Sequence, residues 1–425
     1  MKRIILMTAL LMVAAPPGYT PARDESAALA EGAIAQVSGQ AVVLDSSGKS
    51  RPAKVGDVLR GGEIIETRAE GKVRVVLVDK SVLEVRPNSR VQINDSRLNP
   101  RGVSSVVLYV GWIWARVTAR AGPENAFEVE AATTVAGVRG TELEVAVAED
   151  GSARVGVGSG RAVMENESGS LRLSQGESGE AGYEGAPAAK GSYSAQAEFW
   201  LNFLAKHNLP LLTDFEAFMV RVVAAVLDAR TQLLARDRQM RELLEDYEQK
   251  HPAPRPEEPK PEEKPEPEKQ AEPAPEPEPA TTAEKAEVAS EVRTLYLKAR
   301  ETQKASNRMH SNYYLTEQAQ AAVAKSPSQL SPAQLKAFNS QLARVKDVPQ
   351  LRRQSQAALN AFAAVLERQV NRYGIATSLG RMPSLERNAQ IQQILKQIPG
   401  AMPPMPGPQS FPKPVMPPMP KPRLP

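Results

Sequence analysis

Side chains able to carry out chemistry are few in this chain and lie far apart. The sequence has three histidines and no cysteine, and His207, His251 and His310 stand in separate segments. Without cysteine and without a second histidine nearby, no spacing typical of metal ligands is present. The absence of cysteine also excludes thiol catalysis and disulfide bonds. The sequence therefore predicts neither a metal site nor a cofactor.

Motifs of phosphate, acyl or glycosidic chemistry are not present either. The glycine-rich run 156–160 has no helix after it, so it does not predict a phosphate-binding loop. Glu128 and Glu130, like Glu142 and Glu144, are spaced by two along predicted strands, so we expect both pairs to face solvent. Glycosidases need two carboxyl groups across a cleft. We therefore predict no catalytic residues and a protein that is not an enzyme.

Three residues are candidates for binding. Trp112 and Trp114 lie two apart on a predicted strand and share one face, which could stack on a sugar. The alternative is that they belong to the core or to a seam against the following helices. Arg139 lies between Gly137 and Gly140, where its planar guanidinium could hold a carboxylate. The alternative is that this motif forms a packed corner.

Residues 31–185 predict the fold that positions these side chains. Short apolar segments rich in branched residues alternate with turn residues, and Asp150-Gly151 is typical of a hairpin turn. No segment shows a sustained helical period. The pattern predicts an all-β domain, and a sandwich, a barrel and a solenoid-like stack all remain open. The clearest segments are Ala41–Leu44, Val73–Val78, Val82–Val85, Val91–Ile93, Val106–Val117 and Glu144–Ala148.

Five motifs occur in order within this β-patterned region. They are Val55–Leu59 with Gly62–Thr67, Leu77–Val85 with Pro87–Ile93, Leu108–Val117, Phe127–Val129, and Thr133–Thr141, which reads TTVAGVRGT. Together they resemble the FecR domain, an extracytoplasmic all-β module named after a regulator of bacterial iron uptake. Lys80, Thr134 and Leu143 depart from the family pattern, in which glycine, proline and an aromatic residue are usual.

This resemblance implies a non-enzymatic cell-envelope protein whose FecR-like domain binds a protein or glycan partner in sensing or scaffolding. It leaves two alternatives open. One is an indirect regulator of envelope or iron-type signalling, because FecR itself is an anti-sigma regulator that crosses the inner membrane. The other is a module for attachment to the cell wall or to polysaccharide through Trp112 and Trp114.

The N-terminus predicts export. Met1-Lys2-Arg3 precedes an apolar run from Ile4 to Ala15, which is too short to span a bilayer but has the length of a secretory signal core. A small-x-small site at Ala28-Leu29-Ala30 predicts a signal peptide over residues 1–30. We therefore expect a periplasmic or secreted protein that does not span the membrane. An uncleaved short anchor is the alternative.

The rest of the chain predicts helices separated by proline-rich segments. Residues 193–250 form a helical or coiled-coil segment, in which apolar residues of 214–249 recur in steps of three and four. This seam predicts either self-association or packing on the β-domain. Residues 251–283 predict a disordered Pro/Glu/Lys linker, residues 284–398 a basic helical region, and residues 399–425 a disordered Pro-rich tail. The predicted helices of the basic region lie near 284–325, 332–346, 350–372 and 384–398.

Charge is segregated along the chain. Residues 31–185 contain 18 Lys and Arg against 21 Asp and Glu, whereas residues 284–425 contain 20 against 8. On an exported protein this basic region predicts attraction to an anionic surface or an acidic partner, reached across the linker. The partners are expected to be an envelope protein or polysaccharide and not nucleic acid. A solvated positive face with no dedicated partner is the alternative.

Overall fold

The computed structural model describes residues 30–99, 104–118, 127–207, 214–251, 281–376 and 384–398. Most of the predicted signal peptide 1–30 and linker 251–283, and the predicted tail 399–425, lie outside these ranges. Within them, a β-rich part is followed by helical segments. This order of elements confirms the all-β N-terminal domain and the helices that come after it.

In the part of the chain that the structure describes, fifteen strands form one hydrogen-bonded sheet. The last strand extends the β-domain beyond the predicted boundary at residue 185. The strands are β1 Ala30–Ser38, β2 Ala41–Leu44, β3 Ser50–Pro52, β4 Val58–Arg60, β5 Ile64–Thr67, β6 Lys72–Leu77, β7 Val82–Val85, β8 Arg90–Ile93, β9 Ser105–Arg116, β10 Phe127–Glu130, β11 Val135–Val147, β12 Ala153–Asn166, β13 Gly169–Ser174, β14 Glu177–Ala181 and β15 Ala188–Ser192.

Three long strands, β9, β11 and β12, each belong to two layers. The first half of β9 pairs with β8 and β10, and its second half pairs with β7 and β11. Strands β11 and β12 divide in the same way, because β12 pairs with β14 before its middle and with β13 after it. The sheet therefore folds into a two-layered sandwich, which selects one of the architectures that the sequence left open.

The order of strands in each layer follows from these pairings. Layer one contains β3, β2, β5, β8, the first half of β9, β10, the first half of β11, the second half of β12, and β13. Layer two contains β4, β1, β6, β7, the second halves of β9 and β11, the first half of β12, β14 and β15.

Glycines lie where the three long strands pass between the layers. Gly111 in β9, Gly140 in β11 and Gly160 in β12 have φ angles of +97°, +57° and +82°. Side-chain-bearing residues rarely adopt such angles, because their Cβ atom meets the backbone. The glycines thus allow each strand to turn the corner while its hydrogen bonds continue on both sides.

One apolar cluster fills the space between the layers. Val106 and Leu108 come from the first half of β9, while Ile113 and Ala115 come from its second half, so a single strand contributes to the core from both sides. Each fully buried side chain of the size of Val, Leu or Ile stabilises the fold by roughly 1.5–3 kcal/mol. The core therefore holds the two layers together without disulfides.

Six helices follow or cover the sandwich. Helix α1 lies on the outer face of layer two, where Trp200 and Phe203 pack on Trp112 and Ala146. The described helices are α1 Ala197–Lys206, α2 Phe215–Lys250, α3 Thr282–Lys325, α4 Pro332–Ala343, α5 Val348–Tyr373 and α6 Ser384–Gln397. Helix α6 packs its Ile391 and Ile394 on the β-domain beside β1. None of the helices in the described ranges combines the length and apolarity needed to cross a bilayer.

Capping residues stand at the predicted start of α4 and at the predicted stop of α5, although α4 ends at Ala343 and α5 begins at Val348, a few residues from the predicted bounds. Ser331 caps α4 by accepting a hydrogen bond from the backbone N–H of Gln334, with Pro332 at the first helical position. Gly374 ends α5 with a φ of +61°. Short-range sequence signals therefore determine where these helices begin and end.

Helices α2 to α5 form one bundle with its own apolar cores, called the helical unit below. The predicted seam of α2, including Val222 and Val226, packs against α3 residues such as Met309 and Leu315. The sequence predicts that a second copy or the β-domain packs on this seam. In the structure α3 packs on it instead. Self-association through 214–249 stays a prediction. If two copies associated through this seam, α3 would first have to leave α2.

The helical unit lies on the outer face of layer one. Arg300 of α3 binds Glu128 and Glu130 of β10 at 2.6 and 2.7 Å. The structure thus differs from the expectation that the basic helices reach a distant second site across the linker. The basic helices pack on the less basic β-domain instead, because cationic side chains of α3 pair with carboxylates of that face.

The corner at Gly111 provides a test of this architecture. A Cβ atom added there would lie 2.5 Å from Ser89 Cα and 2.7 Å from the Asn88 carbonyl oxygen. We expect Gly111→Ala to lower the free energy of unfolding by about 3 kcal/mol, combining the cost of the positive φ with overpacking. Urea unfolding followed by tryptophan fluorescence measures this change.

Gly176→Ala is the matched control. Gly176 has a similar φ of +81° but no neighbouring atom within 4 Å of an added Cβ. Its expected cost is about 1 kcal/mol, from the backbone angle alone. Equal losses in the two variants would contradict the close packing of the β9 corner.

Candidate partner-binding surface

The signature motif TTVAGVRGT lies at the corner of β11. Gly140 is the corner residue, and the buried hydroxyl of Thr141 lies 2.9 Å from the carbonyl oxygens of both Arg139 and Arg161. This hydroxyl ties β11 to β12 at the point where both strands change layer. The motif is therefore a packed corner, and Arg139 is carried on its outer side.

Arg139 belongs to a group of exposed arginines on the outer face of layer one. Arg139 and Arg161 are directly opposite each other in the β11–β12 register. Arg172 on β13 pairs with Val163, which makes it a diagonal neighbour of Arg161, a separation of about 7–8 Å in antiparallel sheets. All three arginines are exposed, and we call Arg139, Arg161 and Arg172 the arginine patch.

The arrangement of the arginine patch favours anions. Guanidinium groups bind carboxylates and phosphates through paired hydrogen bonds. Three exposed arginines on one face therefore make an acidic group the type of ligand that this patch favours.

Trp112 and Trp114 both point outward from layer two, but they do not form an open platform. Trp112 is 3% exposed and stacks on Trp200 of α1 with ring centroids 5.9 Å apart. Trp114 is half-buried, and its indole N–H donates to Glu142 Oε1 at 3.0 Å. The Arg116 guanidinium lies 5.2 Å from the Trp114 ring centroid. Only Trp114 keeps an accessible edge, and its role in binding stays a prediction.

The carboxylates expected to face solvent are partly buried. Glu130 is 4% exposed and Glu144 is 2% exposed, so the prediction is wrong for these two residues. Both side chains point outward from the sandwich, as the strand period requires, but α3 covers Glu130 and α1 packs on the face that carries Glu144. Sequence reasoning missed these helices because strand alternation defines the two faces but not what covers them.

Glu144 and Glu128 respond to burial in opposite ways. Burial raises the pKa of Glu144 to about 8, because its nearest cation, Arg86, stands 3.9 Å away and opposes the effect only in part. Burial would also raise the pKa of Glu128, but Arg300 and Lys304 outweigh it and lower the pKa to about 2. The number of close cations therefore decides which carboxylate stays charged.

The three histidines do not share a site. His207 Nδ1 lies 2.9 Å from Asp150 Oδ2, and His251 Nε2 lies 2.7 Å from Glu291. His310 belongs to α3 and is buried against Tyr109, with ring centroids 5.1 Å apart. Within the ranges that the structure describes, no group of three His, Asp or Glu is placed to hold a metal ion.

Two members of the arginine patch were not singled out from the sequence. Arg161 and Arg172 stand on predicted strands, yet only the pairing register places them beside Arg139. A slip of one residue would move them to the opposite face. The GVRG motif was the signal in the sequence that pointed to this site. It marks the corner at Arg139 but does not indicate that Arg161 and Arg172 lie beside it.

The central part of the β-domain matches a known family. Residues 63–163, from β5 to the second half of β12, match the family model described as FecR protein. No curated protein matches the chain. Among solved structures, two of a candidate anti-sigma factor from Parabacteroides distasonis align at 19% identity with a TM-score of 0.29, over 32% of this chain.

These alignments are partial on both sides. This chain covers 63% and 64% of the two anti-sigma factor structures, which is less than two thirds of their length. A structure described as a cell surface anchoring domain aligns at 30% identity with a TM-score of 0.15, over 16% of this chain and 87% of that one.

Glu144 leads to a prediction about pH. Its pKa in the folded state, about 8, lies above the ordinary value of 4.5, so folding favours the protonated form. The stabilising contribution is complete below about pH 4.5 and is lost as the pH rises to 8. We expect Glu144→Gln to flatten the fall in the free energy of unfolding between pH 5 and 8, by about 1 kcal/mol per pH unit.

Urea unfolding at several pH values measures this effect. Burial also raises the pKa of Glu31 to about 7, so part of the decline with pH remains in the Glu144→Gln variant. The control is Glu165→Gln, which changes an exposed carboxylate on β12. Parallel curves for wild type and Glu144→Gln would contradict the buried position of Glu144 beside α1.

Proposed function

We propose that this chain, which carries a FecR domain over residues 63–163, is an exported cell-envelope protein that binds a partner and has no enzymatic activity. The FecR domain supports a role in signalling or regulation. The predicted signal peptide 1–30 supports a periplasmic or secreted location. In this proposal the β-domain senses or scaffolds by binding an acidic protein segment or an acidic polysaccharide.

The observation that carries this proposal is the arginine patch at the signature corner. Its backbone is held in place by the Thr141 hydroxyl and by sheet hydrogen bonds on both sides. Binding an anion there costs little conformational entropy, because the scaffold is already ordered. Hydrogen bonds to charged groups each stabilise a complex by about 1.5–3 kcal/mol, so two arginines support specific recognition.

The two alternatives differ in their support. Indirect control of envelope or iron-type signalling is compatible with the arginine patch, since an acidic partner bound there would be the signal. Attachment to the cell wall through Trp112 and Trp114 is less well supported. Helix α1 covers Trp112, and Arg116 lies over the Trp114 ring, so a sugar would have to displace one of them.

Crosslinking in the native cell tests the proposal. A photo-reactive phenylalanine analogue replaces Val163, which lies between Gly137 and Arg172 on the patch face. In the full chain we expect one discrete crosslinked product of an envelope protein. We expect Arg139→Ala with Arg161→Ala to reduce that product at least tenfold, because two charge-assisted contacts are lost.

The matched control is Arg68→Ala, which removes a guanidinium whose side chain is 65% exposed elsewhere on the β-domain. This variant should keep the product. A high-mass smear that a cell-wall hydrolase removes would assign the partner to polysaccharide. A product that persists in the double variant, or that falls equally in the control, would contradict the arginine patch as the binding site.

A further inference from the structure

The contact between α3 and layer one differs in chemistry from the rest of the helical unit. Within the unit, α2, α3, α4 and α5 meet through apolar clusters. Against the sandwich, α3 presents charged and amide side chains at the centre of the contact. Apolar and aromatic contacts surround them, because His310 and Tyr314 lie on Tyr109, and Ala132 and Leu98 join the clusters of the helical unit. Polar contacts of this kind are typical of interfaces that separate, whereas apolar ones are typical of permanent cores.

Three carboxylate contacts form the centre of this interface. Arg300 reaches Glu128 and Glu130 at 2.6 and 2.7 Å, and its side chain is 8% exposed. Lys304 lies 2.9 Å from the same Glu128. The cations thus come from two successive turns of one helix face, and the anions come from one strand, β10.

Amide groups continue the interface next to the ion pairs. Asn307 donates to Glu130 at 2.9 Å and to Asn94 at 3.2 Å. Asn94 in turn donates to Glu130 at 3.1 Å. Gln92 accepts hydrogen bonds from the Tyr109 hydroxyl at 2.7 Å and from Arg352 of α5 at 3.1 Å. The carboxylate and amide groups of the sheet are therefore matched by donors from the helices.

These sheet residues define a docking face, made of Gln92, Asn94, Tyr109, Glu128 and Glu130. The matching residues of α3 recur in steps of four and three, which places them on one side of the helix. They are Arg300, Lys304, Asn307 and Tyr314. A face that binds a helix through such a stripe is specific for helices with matching donors, because each buried carboxylate needs its own hydrogen-bond donor.

We infer that the docking face is a binding surface for a helix that carries a stripe of basic and amide side chains. In this structure α3 of the same chain occupies the face. A partner protein that presents such a helix takes the place of α3. A buried ion pair adds little net stability relative to an apolar contact, but it selects its partner strongly. The helical unit can leave as one body, because most of each apolar cluster lies within it and the β-domain contributes Ala132, Tyr183 and Leu98.

This surface is distinct from the arginine patch and has the opposite charge preference. The arginine patch is exposed and binds anions, whereas the docking face is covered and binds cations. The inference does not rest on the proposed function, because a failure of the arginine patch would leave the contacts of α3 unchanged.

Spin labels on the full chain test whether the helical unit separates. The chain has no cysteine, so Val55→Cys and Leu297→Cys introduce its only thiols. Both positions are exposed, at 55% and 49%, one on the β-domain and one on α3. Adding Arg300→Gln and Lys304→Gln should create a second, longer population of label distances. An unchanged distance distribution in a folded variant would overturn the inference.

The matched control carries Lys285→Gln and Lys325→Gln. These substitutions remove the same charge from exposed positions near the two ends of α3. The control should keep the wild-type distance distribution. A second population in the control as well would overturn the inference, because net charge and not the docking face would then govern the separation.

A labelled peptide of residues 296–316 tests the partner. We expect it to bind the full chain with Arg300→Gln and Lys304→Gln at least tenfold more tightly than wild type, because α3 no longer competes. A peptide with alanine at the positions of Arg300, Lys304 and Asn307 should not bind. Equal binding of the two peptides would overturn the inference.

Wild-type protein provides the deciding measurement if the double variant does not fold. Addition of the 296–316 peptide to the spin-labelled wild type should shift the distance distribution towards longer values. No shift at the highest soluble peptide concentration would overturn the inference. A dimer formed by exchange of α3 between copies, seen by light scattering, would assign the docking face to a second copy and overturn the partner assignment.

Discussion

Strands β9, β11 and β12 each turn a corner between the two layers and form hydrogen bonds on both sides of it. The rest of the molecule depends on these corners. Gly111, Gly140 and Gly160 allow them through positive φ angles. Because the strands continue past the corner, one polypeptide segment supplies both layers of the core. The same corner places Arg139 on the outer side of layer one and Glu142 beside Trp114 in layer two. Core and surface are thus determined by one backbone feature.

Helices cover part of each outer face of the sandwich, through apolar side chains such as Trp112 and Ile64 and through polar ones. Covering a polar face requires that its buried groups find partners, since an unpaired buried charge is costly. On layer one, Arg300 and Lys304 of α3 pair with Glu128, which stays charged down to a pKa of about 2. On layer two, Glu144 lies 3.9 Å from Arg86, and burial raises its pKa to about 8. The two carboxylates therefore differ in charge at neutral pH, where Glu128 is ionised and Glu144 is mostly protonated.

The charge segregation along the sequence takes on a different meaning in the folded chain. A basic region attached to a less basic domain suggests two independent modules, each with its own partner. In the structure, part of that basic charge pairs with the domain itself through Arg300, Lys304 and Arg387, the last of which binds Glu31 at 2.5 Å. The β-domain exposes positive charge at the arginine patch and also at Arg60, Arg68 and Arg116. In our proposals, recognition is divided between the arginine patch, which binds an acidic group, and the covered docking face, which binds a basic helix.

The sequence by itself determined the element types, the helix ends and the FecR motifs, because these depend on local periodicity, capping and turn residues such as Ser331, Gly374 and Gly140. It could not determine the sandwich, since strand order depends on contacts between residues far apart in the chain. It also could not show that Glu130 and Glu144 are buried, or that Arg161 and Arg172 join Arg139. Those outcomes depend on pairing register and on which helix lies over which face, and only the tertiary structure decides both.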